Sequence, residues 1–201
     1  MTAGAPDPVA EDRDTPTASV YNIANLLTLL RIALVPLLVW LLFLDGTGWR
    51  LAAFAVFAAA SITDKIDGDI ARARGLVTDF GKIADPIADK ALTGAALICL
   101  SLLGELWWWV TAAILIREIG ITLLRLVVIR YGVIPASKGG KLKTMLQVIA
   151  IGLFILPGPL DPIRWATMAT ALAVTLVTGV DYIVQAWRLR RSGGRAHGES
   201  V

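Results

Sequence analysis

Four aspartates in one stretch of the chain are the residues best suited to chemistry. Asp64 and Asp67 are three residues apart, and Asp85 and Asp89 are four apart. On an α-helix either spacing places both side chains on one face. Two such helices side by side would present four carboxylates to each other, and these repel unless cations neutralise them. Two divalent metal ions supply a matching charge, and a pair of metals suits phosphoryl transfer.

The composition narrows the choice of metal. The chain has one histidine, His197, in a polar tail, and one cysteine, Cys99, in an apolar run. The cysteine is predicted to pack as a small hydrophobic residue, and a disulfide within the chain is excluded. Oxygen ligands alone favour hard cations, so the predicted cofactor is Mg²⁺ or Mn²⁺, two per site.

The elements that must hold these carboxylates are predicted to be membrane helices. Hydrophobic residues make up 56% of the 201 residues, above the roughly 45–50% of soluble proteins. Spanning segments should be helical, because lipid satisfies no backbone polar group. Six apolar stretches run over about 23–44, 50–67, 83–104, 107–130, 142–157 and 162–187. The second is predicted to continue as an amphipathic helix through Arg72. The predicted fold class is therefore all-α, a polytopic membrane protein with six transmembrane helices.

The distribution of cations predicts how these spans are oriented. The turns after the first, third and fifth stretches are flanked by few cations, Arg50 and Arg164, whereas the opposite ends carry most of the Lys and Arg residues. By the positive-inside rule, those opposite ends face the cytoplasm. Both termini and the aspartates are thus predicted on the cytoplasmic side of the cell membrane. The run Trp107-Trp108-Trp109 is predicted at the outer interface.

The net charge of +3 raises the question of an anionic partner. Because the cations lie between apolar spans, lipid headgroups and anionic substrates are favoured over nucleic acid. Residues 1–20 are rich in Pro, Ala, Thr and acidic residues, which predicts a disordered cytoplasmic tail and no signal peptide. The predicted catalytic domain covers 21–190, and 191–201 form a basic cytoplasmic tail.

The aspartates belong to a longer pattern, D-x2-D-G-x2-A-R-x8-G-x3-D-x3-D. Its fixed positions are Asp64, Asp67, Gly68, Ala71, Arg72, Gly81, Asp85 and Asp89. This pattern resembles the signature of the CDP-alcohol phosphotransferases, and the resemblance extends from about Tyr21 to Asp181. It implies a six-helix membrane fold, usually a homodimer, with a site open to the cytoplasm.

The resemblance also implies roles for individual residues. All four aspartates would bind metal, and Asp89 would also act as the general base. Gly68 lets backbone approach a nucleotide closely, and Arg72 offers a planar fork for a phosphate. The full set implied to bind CDP-diacylglycerol is Asn25, Thr28, Asp64, Asp67, Gly68, Ala71, Arg72, Thr78 and Gly81.

Three shorter segments resemble the phosphatidylglycerophosphate synthase branch of that family. They are 22–31, the run Arg117-Glu118-Ile119, and 140–144 with Gln147. Ala24 departs from this branch, which carries proline there. The implied reaction moves the phosphatidyl group of CDP-diacylglycerol to sn-glycerol 3-phosphate, giving phosphatidylglycerophosphate and CMP. The alternative is the same chemistry with phosphatidylglycerol, making cardiolipin, or with inositol phosphate.

Cations within or beside the apolar spans favour an acceptor that carries its own phosphate. They lie deeper in the spans than cations whose side chains extend to the lipid headgroups, so an anion must neutralise them. The predicted acceptor-phosphate ligands are Arg31, Arg117, Lys141 and Lys143. Glu118 is predicted to pair with one of these cations.

A different class, a metal-ion transporter or channel, would also use acidic residues in membrane helices. It would place them near the midplane of several helices, whereas here they cluster at one cytoplasmic junction. A scaffold without activity is disfavoured because every position of the signature is kept. An enzyme is therefore the preferred prediction.

Overall fold

The computed structural model describes the backbone of residues 23–74, 79–128 and 138–196, and the side chains of 29–64, 90–124 and 140–187. Within these ranges all regular structure is helical, which confirms the all-α class. The helices are α1 (Ile23–Leu42), α2 (Thr47–Arg74), α3 (Asp79–Leu102), α4 (Trp108–Val128), α5 (Lys138–Ile155) and α6 (Asp161–Ala196).

Helices α2, α5 and α6 reach further than the apolar stretches predict, at their ends away from the glycine turns. Helix α2 continues to Arg74, as the amphipathic pattern indicates, and α5 begins at Lys138, four residues earlier than expected. Helix α6 extends to Ala196, nine residues past the apolar stretch. The reason is that polar residues continue a helix beyond the point where hydrophobicity ends. Lys141 and Lys143 consequently both lie within α5.

Three glycines with positive φ form the turns at the other end of the bundle. They are Gly46 (φ 121°), Gly104 (φ 75°) and Gly158 (φ 127°), values that other residues adopt only with strain. They follow α1, α3 and α5, where Gly and Pro predict tight turns. Thr47 and Gly48 follow the first of these glycines and begin α2.

Helix α1 is the main contact of both helices that carry the aspartates. Among the described residues it packs along α2 and along α3, while α2 and α3 touch each other only slightly. Helix α6 packs against α4 and α5. Helix α1 supplies most of the described packing of both α2 and α3, and the approach of their aspartates to each other stays a prediction. The core between the helices includes Leu38, Phe57, Leu97 and Ile151, all almost fully buried.

Large apolar side chains cover much of the outside of the bundle. Ile116, Ile119 and Leu123 are exposed on α4, and Val177 and Val180 on α6. Apolar patches of this extent mark surfaces that contact something other than water. In the ranges with described side chains, one segment, 161–187, is long and apolar enough to cross a membrane, and shorter apolar helices cover 29–42 and 90–102. The number of six spans stays a prediction.

The two arginines near the glycine turns are both engaged inside the protein. Arg50 donates to the Glu105 carboxylate (2.5 Å) and to the Phe154 carbonyl (2.9 Å). Arg164 donates to the Leu153 carbonyl (2.9 Å) and to Asp161 (3.1 Å). Carbonyls near a helix C-terminus lack partners within the helix, so both arginines cap the end of α5. These cations hold the bundle together at this end.

Candidate active site

Helix α1 brings a buried arginine to the first aspartate of the motif. Arg31 Nη1 lies 2.6 Å from Asp64 Oδ1, with 4% of the Arg31 side chain and 35% of the Asp64 side chain exposed. A cation thus already lies beside the only motif carboxylate whose side chain the structure describes. Arg31, predicted as a ligand of the acceptor phosphate, is therefore placed next to the aspartate motif.

The helices place the rest of the motif as the spacing predicts. Helix α2 carries Asp64 and Asp67, and α3 carries Asp85 and Asp89, so each pair shares a helix face. The remaining motif positions, Gly68, Ala71, Arg72 and Gly81, are also helical, as are Asn25 and Thr28 on α1. Apart from Asp64, the side chains of this set lie outside the described ones, and Thr78 lies outside the described residues. The metal cluster and the CDP-diacylglycerol contacts remain predictions.

A second group of charges surrounds Glu118 on α4. Its Oε1 accepts a short hydrogen bond from Lys143 Nζ of α5. Its Oε2 accepts one from Lys90 Nζ of α3 at 3.2 Å, and Arg117 Nη1 lies 3.3 Å from Oε1. The side chains of Glu118 and Lys143 are only 14% and 7% exposed. We call these four residues the Glu118 cluster.

Arg117 links this cluster to α6. Its Nε donates to the Thr175 carbonyl at 3.1 Å, and its Nη2 donates to Thr178 Oγ1 at 2.9 Å. Gly179 lies beside the stem of this side chain, since a Cβ there would come within 3.3 Å of Arg117 Cγ. The absence of a side chain at Gly179 therefore leaves the space that Arg117 occupies.

Helix register places the Glu118 cluster and the Arg31–Asp64 pair in the same half of the bundle, away from the glycine turns. Helices α2 and α5 are antiparallel and meet where Phe54 lies against Gly152, 3.4 Å from a Cβ built there. Asp64 lies ten residues after Phe54 along α2. Lys143 lies nine residues before Gly152 along α5. Glu118 is ten residues into α4, so it lies about 15 Å from the end with the glycine turns.

The space at the Glu118 cluster is small. A cavity of about 20 Å³ is lined by Thr93, Glu118, Lys143, Thr144, Gln147 and Val148. That volume suits a single water molecule, which needs about 10–15 Å³ and polar partners. The cavity as it stands is therefore too small for a phosphate.

The sequence analysis does not predict Lys90 as a member of this cluster, and it does not specify which cation pairs with Glu118. Lys90 follows Asp89 directly and looks like an ordinary charge at a helix end; only the packing of α3 on α4 brings it to Glu118. The sequence predicts one cation partner for Glu118, and the structure supplies three. Lys141, also predicted as a ligand, is exposed two residues before Lys143.

The sequence of the whole domain defines the class of protein. The sequence model of the CDP-alcohol phosphatidyltransferase family matches residues 21–177. The chain belongs to this family, which confirms the resemblance carried by the aspartate motif. Members of the family are membrane-associated and use divalent metal ions.

Individual relatives narrow the comparison further. A Mycobacterium tuberculosis protein named "Probable phosphatidylglycerophosphate synthase" is 55% identical over 182 residues, covering 88% of this chain and 86% of that protein. A Bacillus subtilis protein named CDP-diacylglycerol–glycerol-3-phosphate 3-phosphatidyltransferase is 37% identical, covering 84% and 96%. A Pseudomonas fluorescens protein with the same name is 33% identical, covering 87% and 94%. The predicted resemblance to this branch of the family is confirmed.

Proposed function

We propose that this protein transfers the phosphatidyl group of CDP-diacylglycerol to sn-glycerol 3-phosphate, releasing CMP and phosphatidylglycerophosphate. The observation that carries the acceptor assignment is the Glu118 cluster, in which three cations surround one carboxylate. The names of the relatives from M. tuberculosis and B. subtilis support the same pair of substrates.

Two divalent ions, Mg²⁺ or Mn²⁺, would be held by Asp64, Asp67, Asp85 and Asp89. The residues fit such ions, because the donors are all carboxylate oxygens. Arg31, 2.6 Å from Asp64, shows that positive charge is stabilised at this carboxylate. When bound, the metals supply charge stabilisation for the pyrophosphate of the lipid substrate. Gly68, Arg72 and Thr78 would contact its CDP portion, and Asn25, Thr28, Ala71 and Gly81 would line the same site.

Asp89 is the proposed general base. It would accept the proton of the glycerol C1 hydroxyl, and that oxygen would attack the β-phosphorus of CDP-diacylglycerol as CMP leaves. A carboxylate within reach of the hydroxyl is sufficient for this role. The next residue along the helix, Lys90, belongs to the Glu118 cluster, so α3 connects the proposed base to the acceptor site.

The acceptor phosphate would be bound by cations in the half of the bundle away from the glycine turns. Lys143 is nearly buried and has one described bond, to Glu118, out of three possible donors. Arg117 uses three of its five N–H groups within the protein, and the others remain for an anion. Arg31 and the exposed Lys141 complete the proposed set. Within the Glu118 cluster, three cations accompany one carboxylate, so the net charge of this group is positive.

The exposed apolar side chains support a position within the bilayer. A bundle whose outer faces carry residues such as Ile116 and Val177 is suited to contact lipid. We propose that all six helices span the cell membrane, that the site and both termini face the cytoplasm, and that the protein forms homodimers.

A direct assay tests this function and its acceptor. Purified protein in detergent with Mg²⁺ and CDP-diacylglycerol is given glycerol 3-phosphate, phosphatidylglycerol, inositol phosphate or no acceptor. Release of CMP and the mass of the lipid product are measured. CMP release that depends on glycerol 3-phosphate is expected, with phosphatidylglycerophosphate as the product. Preference for either other acceptor would transfer the assignment to that substrate, and acceptor-independent release would overturn it.

A further inference from the structure

We infer that Glu118 is a positioning residue that holds the acceptor-binding cations in place. This inference rests on the proposed function. Glu118 is not one of the predicted ligands, because its carboxylate has the same charge sign as a phosphate. It acts on the acceptor through Arg117 and Lys143, which it contacts directly together with Lys90.

Glu118 contacts side chains from several helices of the bundle. Lys90 belongs to α3, Lys143 to α5, and Glu118 itself to α4. Arg117, its neighbour in the chain, is bound to the backbone of α6 at Thr175. One carboxylate thereby joins side chains from three helices, and Arg117 connects it to the fourth. Long lysine side chains have many rotamers, so a fixed anion restricts where their ammonium groups lie.

Two opposite effects of this carboxylate on phosphate binding can be separated. Its negative charge repels a phosphate, so its removal would strengthen acceptor binding if charge alone mattered. Its contacts hold three cations that otherwise repel one another in a site of low dielectric, so removal would disperse them and weaken binding. The sign of the change in KM therefore distinguishes positioning from simple repulsion.

The test compares E118Q and E118D with the unmodified protein, measuring kcat and the KM of each substrate. For E118Q, the KM of glycerol 3-phosphate is expected to rise about tenfold or more, as after loss of one charge-assisted contact. The KM of CDP-diacylglycerol should change by less than about threefold. E118D keeps the charge on a shorter side chain and should give a smaller rise. If E118Q cannot be purified folded, the acceptor KM of E118D decides.

Glu105 provides a matched control. It is also a glutamate paired with an arginine, Arg50 at 2.5 Å, but it lies at the opposite end of the bundle. E105Q should leave the KM of glycerol 3-phosphate unchanged.

Three outcomes would overturn the inference. They are a fall or no change in the acceptor KM of E118Q, an equal rise in both KM values, and the same shift in E105Q. If the unmodified protein releases no CMP in response to glycerol 3-phosphate, the proposed function itself fails. That result is separate from an active protein whose acceptor KM is insensitive to Glu118.

Discussion

Replacing Lys143 with methionine tests whether the buried ammonium group binds the acceptor phosphate. Lys143 exposes only 7% of its side chain and donates to Glu118. Methionine is unbranched and flexible, so it can fill much of the same space while removing the charge and the donors. Glu118 keeps two partners, Lys90 at 3.2 Å and Arg117 at 3.3 Å. The substitution therefore does not leave a buried carboxylate alone.

The magnitude follows from the contact that is lost. A hydrogen bond between charged groups contributes about 1.5–3 kcal/mol, and each 1.4 kcal/mol corresponds to a factor of about ten. The KM of glycerol 3-phosphate should therefore rise roughly 10- to 150-fold in Lys143→Met. The loss of folding stability should stay below the roughly 3–5 kcal/mol of a broken buried pair, because Glu118 remains neutralised.

Lys141→Met is the matched comparison on the same helix. Lys141 is exposed and two residues earlier, so it points about 200° away around the helix axis. Steady-state assays with each substrate varied in turn should give a smaller rise in acceptor KM for this variant. The reasoning is refuted if Lys141→Met has the larger effect, or if Lys143→Met lowers thermal stability while its acceptor KM stays normal.

The remaining predictions concern the metals, the base and the packing of Arg117. Excess EDTA should abolish activity and added Mg²⁺ or Mn²⁺ should restore it; full activity in EDTA would contradict a carboxylate metal site. Asp89→Asn should abolish turnover while CDP-diacylglycerol still binds, and near-normal turnover would remove Asp89 from the role of base. Gly179→Ala places a Cβ 3.3 Å from Arg117 Cγ, and weakening one net hydrogen bond by about 0.5–1.5 kcal/mol should raise the acceptor KM roughly two- to tenfold. Gly120→Ala meets no atom within 4 Å and should leave that KM unchanged; equal effects of the two glycine variants would show that Arg117 is not disturbed.

The features that the sequence predicts well depend on short stretches of chain. Apolar runs predict the helices, and Gly46, Gly104 and Gly158 predict the turns between them. The spacing of Asp64 and Asp67 is interpretable as soon as α2 is assigned. These patterns are local, and one turn of helix determines which residues share a face.

The features that the sequence does not predict depend on how helices meet. Lys90 and Glu118 are 28 residues apart in the chain, and their contact requires the register of α3 against α4. The position of α1 along both α2 and α3 is likewise a property of packing. Single-sequence patterns carry no information on such pairs, so Glu118 is predicted with one partner and found with three.

The number of cations per carboxylate in the described ion pairs differs between the two ends of the bundle. Near the glycine turns, Arg50 pairs with Glu105 and Arg164 with Asp161, one cation to one carboxylate, and both arginines also cap carbonyls of α5. Such pairs are satisfied within the protein and need no further ligand.

Around Glu118, three cations share one carboxylate within side chains that are largely buried. Burying more cations than carboxylates is unfavourable unless a further anion binds and neutralises the excess charge. Glu118 orders the cations in advance, so less ordering remains for the step in which the acceptor binds. The negative charge of Glu118 repels a phosphate. The cations around it must therefore outnumber it if the cluster is to attract the acceptor phosphate. A cluster of three cations on one carboxylate meets both requirements, whereas the one-to-one pairs at the other end meet only the first.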